Sequence, residues 1–109
     1  MPTAYVTAPP DAAEEIARTL VEERLAACVN RVDCRSVYRW DGAVHDDDEV
    51  ILLAKTDADG YPDLAERVVQ LHPYETPCVE RFEERELLRA FERWRDDAVG
   101  ADPDEAPDG

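Results

Sequence analysis

The chain is constrained most by two β-rich runs on either side of Asp41-Gly42. Residues 27–40 carry Val29, Val32, Val37, Tyr38 and Trp40, and residues 44–56 return through Val50, Ile51, Leu52 and Leu53. An Asp-Gly pair between such runs is a hairpin signal, so the spacing predicts one long antiparallel ribbon. At about 3.3 Å per residue, a strand of about 12 residues reaches roughly 40 Å, against a radius of gyration of roughly 13 Å for a compact domain of this length. Part of the ribbon must therefore project. A projecting ribbon with Tyr38 and Trp40 near its tip exposes strand edges and apolar rings that one subunit cannot cover, which predicts association.

The flanking segments supply the rest of the fold. Residues 3–8 read as a short strand ended by Pro9-Pro10. Asp11 followed by Glu14 has the spacing of a capping box, and Ile16, Ala17, Leu20, Val21 and Leu25 recur at helical spacing, opposite Glu14, Glu15, Arg18, Glu22 and Glu23. Gly60-Tyr61-Pro62 opens a second helix through Leu64, Val68 and Leu71, which Pro73 stops at about His72. A last strand over residues 78–82 and a third helix marked by Leu87, Leu88, Phe91 and Trp94 complete the series. The order β-α-β-β-α-β plus a terminal helix predicts an α+β, ferredoxin-like antiparallel sheet with its helices on one face. The other face is then free for association. Residues 1–97 make one domain, and residues 98–109 read as an acidic flexible tail with nothing to bury.

Charge excludes several partners. The formal net charge is −15, from 27 acidic and 12 basic residues, and it repels phosphates and anionic headgroups, so neither nucleic acid nor membrane is an expected partner. Lys55 is the sole lysine, and the acids run along the whole chain, a surface suited to high salt. Cys28, Cys34 and Cys78 form an odd set without CxxC spacing, which predicts neither a disulfide framework nor a zinc knuckle and fits a reducing cytoplasm. No basic-then-apolar leader and no apolar run of about 18 residues is visible, so a cytoplasmic location is expected.

Four segments coincide, in order, with one family: Thr7-Ala8-Pro9, Leu25-Ala26-Ala27-Cys28-Val29-Asn30, Tyr38-Arg39-Trp40-Asp41-Gly42 and Leu71-His72-Pro73-Tyr74-Glu75-Thr76-Pro77. Together they resemble the CutA divalent-ion-tolerance family, here as a haloarchaeal-like acidic member, from Tyr5 to Trp94. The resemblance implies a homotrimer of ferredoxin-like subunits linked to tolerance of copper and other divalent ions, with no enzymatic step securely attached. The sequence departs from the family pattern at Arg31-Val32-Asp33-Cys34, about one residue short, at Cys78, commonly an acid, and at Val6, where some members carry a thiol.

Candidate metal ligands follow from residue type and place. His72 lies at a helix end between segments stiffened by Pro73 and Pro77, and imidazole suits copper and zinc; the competing role is a helix C-cap, where the dipole favours imidazolium. Cys78 reaches His72 only if the intervening turn folds back, with Glu75 adding an oxygen; the alternative is a small core hydrophobe. His45 beside Asp46-Asp47-Asp48-Glu49 lacks EF-hand spacing and reads as a solvated loop. Tyr38, Trp40 and Tyr74 are expected to line a cleft between subunits or to pack there. No cofactor is expected to be required, and copper or another divalent metal ion is the candidate ligand.

The chain shows no nucleophile elbow, no Ser/His/Asp order and no diagnostic carboxylate pair, so it is not expected to be an enzyme. The leading expectation is a trimeric metal-responsive binding protein. A PII-like metabolite-binding signalling trimer, although the chain lacks a Gly-rich phosphate loop, and a non-catalytic scaffold are the alternatives.

Overall fold

A computed structural model describes residues 2–100. The elements run β1 (Pro2–Ala8), α1 (Pro10–Glu22), β2 (Cys28–Trp40), β3 (Ala43–Lys55), α2 (Tyr61–Leu71), β4 (Val79–Glu83) and α3 (Arg89–Ala98). The sheet order is β2-β3-β1-β4, with every neighbouring pair antiparallel. This is the α+β, ferredoxin-like arrangement expected from the sequence.

Strand alternation separates two faces. Ala4, Val6 and Ala8 of β1 and Val50, Leu52 and Ala54 of β3 are buried together with Ile16 and Leu20 of α1 and Leu64 and Val68 of α2. The other face carries Tyr5, Val32, Ile51, Leu53 and Phe82, placed together by the strand registers. Tyr5 stacks on Phe82 with centroids 5.2 Å apart, yet Phe82 and Val32 each remain 46% exposed.

The ribbon projects as its length demands. β1 pairs with β3 only over residues 50–55, whereas β2 and β3 pair from Cys28↔Lys55 to Trp40↔Ala43. The subunit consequently extends over 54 × 32 × 19 Å with a radius of gyration of 15.2 Å. Asp41 (φ 51°) and Gly42 (φ 78°) both adopt the left-handed region that a tight two-residue hairpin requires.

Four local readings are corrected. The Asp11/Glu14 capping box does not form: Pro9 is the N-cap of α1, no side chain caps it, and Pro10 supplies the preset φ of the first turn. The acidic run is no solvated loop, because residues 45–49 lie inside β3; Arg35 pairs there with Asp46 (2.7 Å) and Asp48 (3.2 Å). Cys78 precedes β4, and Leu87 and Leu88 precede α3, with Leu88 77% exposed. Of the expected tail, Ala98 ends α3 and Gly100 is bonded through its N–H to the Arg24 carbonyl, while residues 101–109 lie outside the described part.

Candidate functional site

The site begins with the turn between α2 and β4. Pro73 cannot continue the helix, so His72 becomes the C-cap with an extended backbone (φ −75°, ψ 136°). Its side chain is buried, 7% exposed. Nε2 lies 2.8 Å from the Thr7 carbonyl oxygen, and the Tyr74 N–H donates to Nδ1 at 3.0 Å. These partners require the neutral ring with its hydrogen on Nε2. Both nitrogens are engaged, so the ring does not offer a free lone pair to a metal in this geometry, nor is it the imidazolium cap considered from sequence. Its role here is to fix Tyr74, whose ring lies 4.8 Å from its own.

Tyr74 carries the turn to the ribbon. Its hydroxyl donates to Oε2 of Glu49 at 3.3 Å, and Tyr38 donates to Oδ2 of Asp47 at 2.7 Å. Between ribbon and turn opens a cavity of about 630 Å³ lined by Thr7, Ser36, Val37, Tyr38, Trp40, Glu49, Tyr74, Glu75, Thr76 and Cys78. The expected aromatic trio thus comes together, and Glu75 and Cys78 share the cavity, while His72 stands outside its lining.

Electrostatics follow from that lining. Glu49 is 6% exposed, and it and Glu75 are acidic, whereas among the described residues no Arg, Lys or His lines the cavity. Burial first, then the negative charge of Glu49, pushes the Tyr74 phenol above its ordinary range. The hydrogen bond to Asp47, followed by burial and the hydrogen bond with Tyr74, raises Tyr38 well above its ordinary range. Burial pushes the Cys78 thiol up, against a lowering contact with Thr7 and reinforced by Glu80, to which the thiol donates at 3.6 Å.

As a metal centre, the donors do not converge. Among the described residues no group of three or more His, Cys, Asp or Glu side chains is placed to hold an ion. Sequence reasoning missed Glu49, Thr7 and Ser36. The hairpin register could have found Glu49: counting from Asp41-Gly42 pairs it with Cys34, on the same face as Ile51 rather than in solvent.

Comparison with known proteins identifies the architecture. The sequence matches the CutA1 divalent ion tolerance protein family over residues 3–98. The chain belongs to the CutA1 family. The divalent-cation tolerance protein CutA of Thermus thermophilus is 45% identical over 91 residues, which span 83% of this chain and 88% of that protein. The solved structure of that species' Cut A1 superposes with a TM-score of 0.85 at 43% identity, covering 92% of this chain and all of the other. The PII-like protein CutA from Nostoc sp., in apo form, gives a TM-score of 0.88 at 36% identity over 92% and 98% of the two chains. The Archaeoglobus fulgidus structure, described as a periplasmic divalent cation tolerance protein CutA, gives 0.86 at 33% identity over 92% of this chain and all of that one. The CutA1 family is thus named for ion tolerance and, in one member, for likeness to PII proteins, not for a reaction. No helix among the described residues is long and apolar enough to cross a membrane.

Proposed function

We propose that the chain acts in divalent-cation tolerance as a non-catalytic homotrimeric binding protein, cytoplasmic and adapted to high salt, whose site is the cavity beneath Tyr38, Trp40 and Tyr74. The observation that carries this reading is the cavity itself, at about 630 Å³ within the span of ordinary ligand sites, with Thr7, Tyr38, Trp40, Tyr74, Glu75 and Thr76 of its wall drawn from the family's own segments. The apolar open face of the sheet, with Val32 and Phe82 each 46% exposed, supports assembly. Three free cysteines fit a reducing compartment.

For copper or another divalent ion, the donors on offer at this wall are the carboxylates of Glu75 and Glu49 and the sulfur of Cys78. Since they do not form a cluster within one chain, ion capture here needs a side chain to move or donors from a second copy. His72 belongs to the frame behind them. A second reading, a PII-like small-molecule sensor, is favoured by the cavity's size, which exceeds the space one ion needs, and by the likeness to the Nostoc protein.

Anaerobic calorimetric titration with Cu(I), Cu(II) and Zn(II) tests direct ion binding, on the native chain and on Cys78→Ser and Glu75→Gln. Stoichiometric binding weakened by these substitutions supports ion capture at the cavity wall. Absent binding, or binding indifferent to them, sinks that route and leaves the small-molecule reading.

A further inference from the structure

We propose that the cavity is a site for a small organic cation of the alkylated ammonium class, an inference that rests on the reading of this cavity as the ligand site. Aromatic side chains come first: Tyr38, Trp40 and Tyr74 line it together, Trp40 and Tyr74 remain 53% and 38% exposed, and Tyr38 stacks one face on His45 with centroids 5.3 Å apart. Ring faces attract a weakly hydrated cation over the π-cloud, and an ammonium group enclosed by such rings loses little hydration on entry.

The second observation is charge. Glu49 is 6% exposed, lines the cavity and accepts a hydrogen bond from Tyr74 at Oε2. Among the described residues it takes part in no ion pair. A carboxylate taken from water without a basic partner calls for a positive ligand. Glu75 lies on the same lining, and among the described residues of one subunit no basic side chain does.

These facts also select against the competing ligand classes. A phosphate or carboxylate ligand would meet two acidic side chains and no cationic partner. A hard divalent ion needs several convergent oxygens, and the described residues bring no such group together. A cation binding through ring faces and one carboxylate needs no such convergence. The net charge of −15 steers cations toward the molecule from a distance as well.

The test uses the full chain and three probes: choline, its uncharged isostere in which carbon replaces nitrogen, and adenosine monophosphate. Binding is read by calorimetry and by tryptophan fluorescence in a Trp94→Phe background, where Trp40 is the remaining reporter. Choline should bind saturably and about tenfold or more tighter than the isostere. Glu49→Gln and Trp40→Ala should each weaken it about tenfold, while Glu14→Gln, an equal charge change on α1, should leave it unaltered. Circular dichroism establishes that each variant is folded, and Trp40→Ala at the exposed ribbon provides the result if Glu49→Gln fails to fold.

Equal binding of choline and isostere overturns the cation inference while sparing the cavity as a ligand site. Tighter binding of adenosine monophosphate does the same. If none of the probes binds but copper binds with dependence on Cys78, the inference falls and the ion-binding reading stands. If neither probes nor metal ions bind, both fall.

Discussion

The Nε2 atom of His72 lies 2.8 Å from the carbonyl oxygen of Thr7, 65 residues away, and so ties the α2–β4 turn to the end of β1. The contact joins sequence to site in one step. Pro73 ends α2, the C-cap geometry directs the imidazole inward, and the ring's other nitrogen receives the Tyr74 N–H. Tyr74 then reaches Glu49.

Replacing His72 with Ala should therefore act on stability and on the cavity together. Two hydrogen bonds are lost and a buried site is emptied, for an expected loss of about 2–3 kcal/mol, with His72→Gln recovering part of it. Urea unfolding measures the loss, and ligand binding at the cavity should weaken in parallel. A change below about 0.5 kcal/mol would mean that the ring is not a structural tie.

Tyrosine ionisation gives a pH signature. Tyr5, Tyr38 and Tyr74 all have raised phenols; burial is the leading cause for Tyr5 and Tyr74, and the hydrogen bond to Asp47 for Tyr38. A phenol raised in the folded chain holds its proton more tightly there than in the unfolded chain. Its contribution is fully present below the ordinary value of about 10 and is lost as pH rises through the raised value. Stability should fall above about pH 10, and Tyr38→Phe should flatten that fall. Phenolate absorbance of the folded protein should develop late, and an ordinary titration of all four tyrosines would contradict the assignment.

Much of this was legible in the sequence, for identifiable reasons. Asp41-Gly42 specifies its own turn, and Pro73 specifies where α2 stops, because each restricts backbone dihedrals whatever surrounds it. The aromatic trio was also visible, since Tyr38 and Trp40 share the open face of β2. Glu49 was obscured by three aspartates before it, although strand alternation separates it from Asp46 and Asp48 and leaves only Asp47 on its face: Cys34 stands opposite Glu49, whereas Arg35 faces Asp48. The engagement of His72 was not legible, because its two partners are backbone groups and one belongs to β1. The Asp11/Glu14 box misled for a similar reason: Pro9-Pro10 starts the helix one residue earlier and leaves Asp11 inside the first turn.

If Cys78 takes up an ion as proposed, that uptake should depend on pH. The thiol is raised by burial before all else and donates to Glu80, so a soft ion must displace its proton. Affinity through that sulfur is expected to rise by roughly tenfold per pH unit below the thiol pKa. Zinc titrations at several pH values check this, with Cys78→Ser removing the slope. A pH-independent affinity would show that the sulfur is not a ligand.

Arg24 holds the end of the described chain. It sits in the left-handed region at φ 60° just beyond α1, a position where glycine is usual, and its guanidinium donates to the carbonyls of Gly100 (2.7 Å) and Asp97 (2.8 Å). Arg24→Ala loses both contacts and keeps the strain, so α3 amides should exchange faster and stability should fall by about 1 kcal/mol. Arg24→Gly loses the contacts but relieves the strain, and should be less destabilising. Identical behaviour of the two variants would deny the strain, and unchanged exchange in α3 would deny the clamp.

The open face supplies the test of assembly. Ile51 lies at its centre, opposite Val32 on one side and Thr7 on the other, with Leu53 two residues along the strand. A charged side chain there would face solvent in a lone subunit but would be buried unpaired between apposed sheets. If the proposed trimer forms through this face, Ile51→Asp should convert it into a folded species near the 12.3 kDa subunit mass by light scattering, and Val32→Glu should do likewise from the neighbouring strand. The argument depends on folding surviving, and it should, since both residues lie opposite the helix-covered core of Val6, Leu52 and Leu64. Retention of the native assembly by both variants would exclude this face as the interface and leave the projecting ribbon as the remaining surface for association.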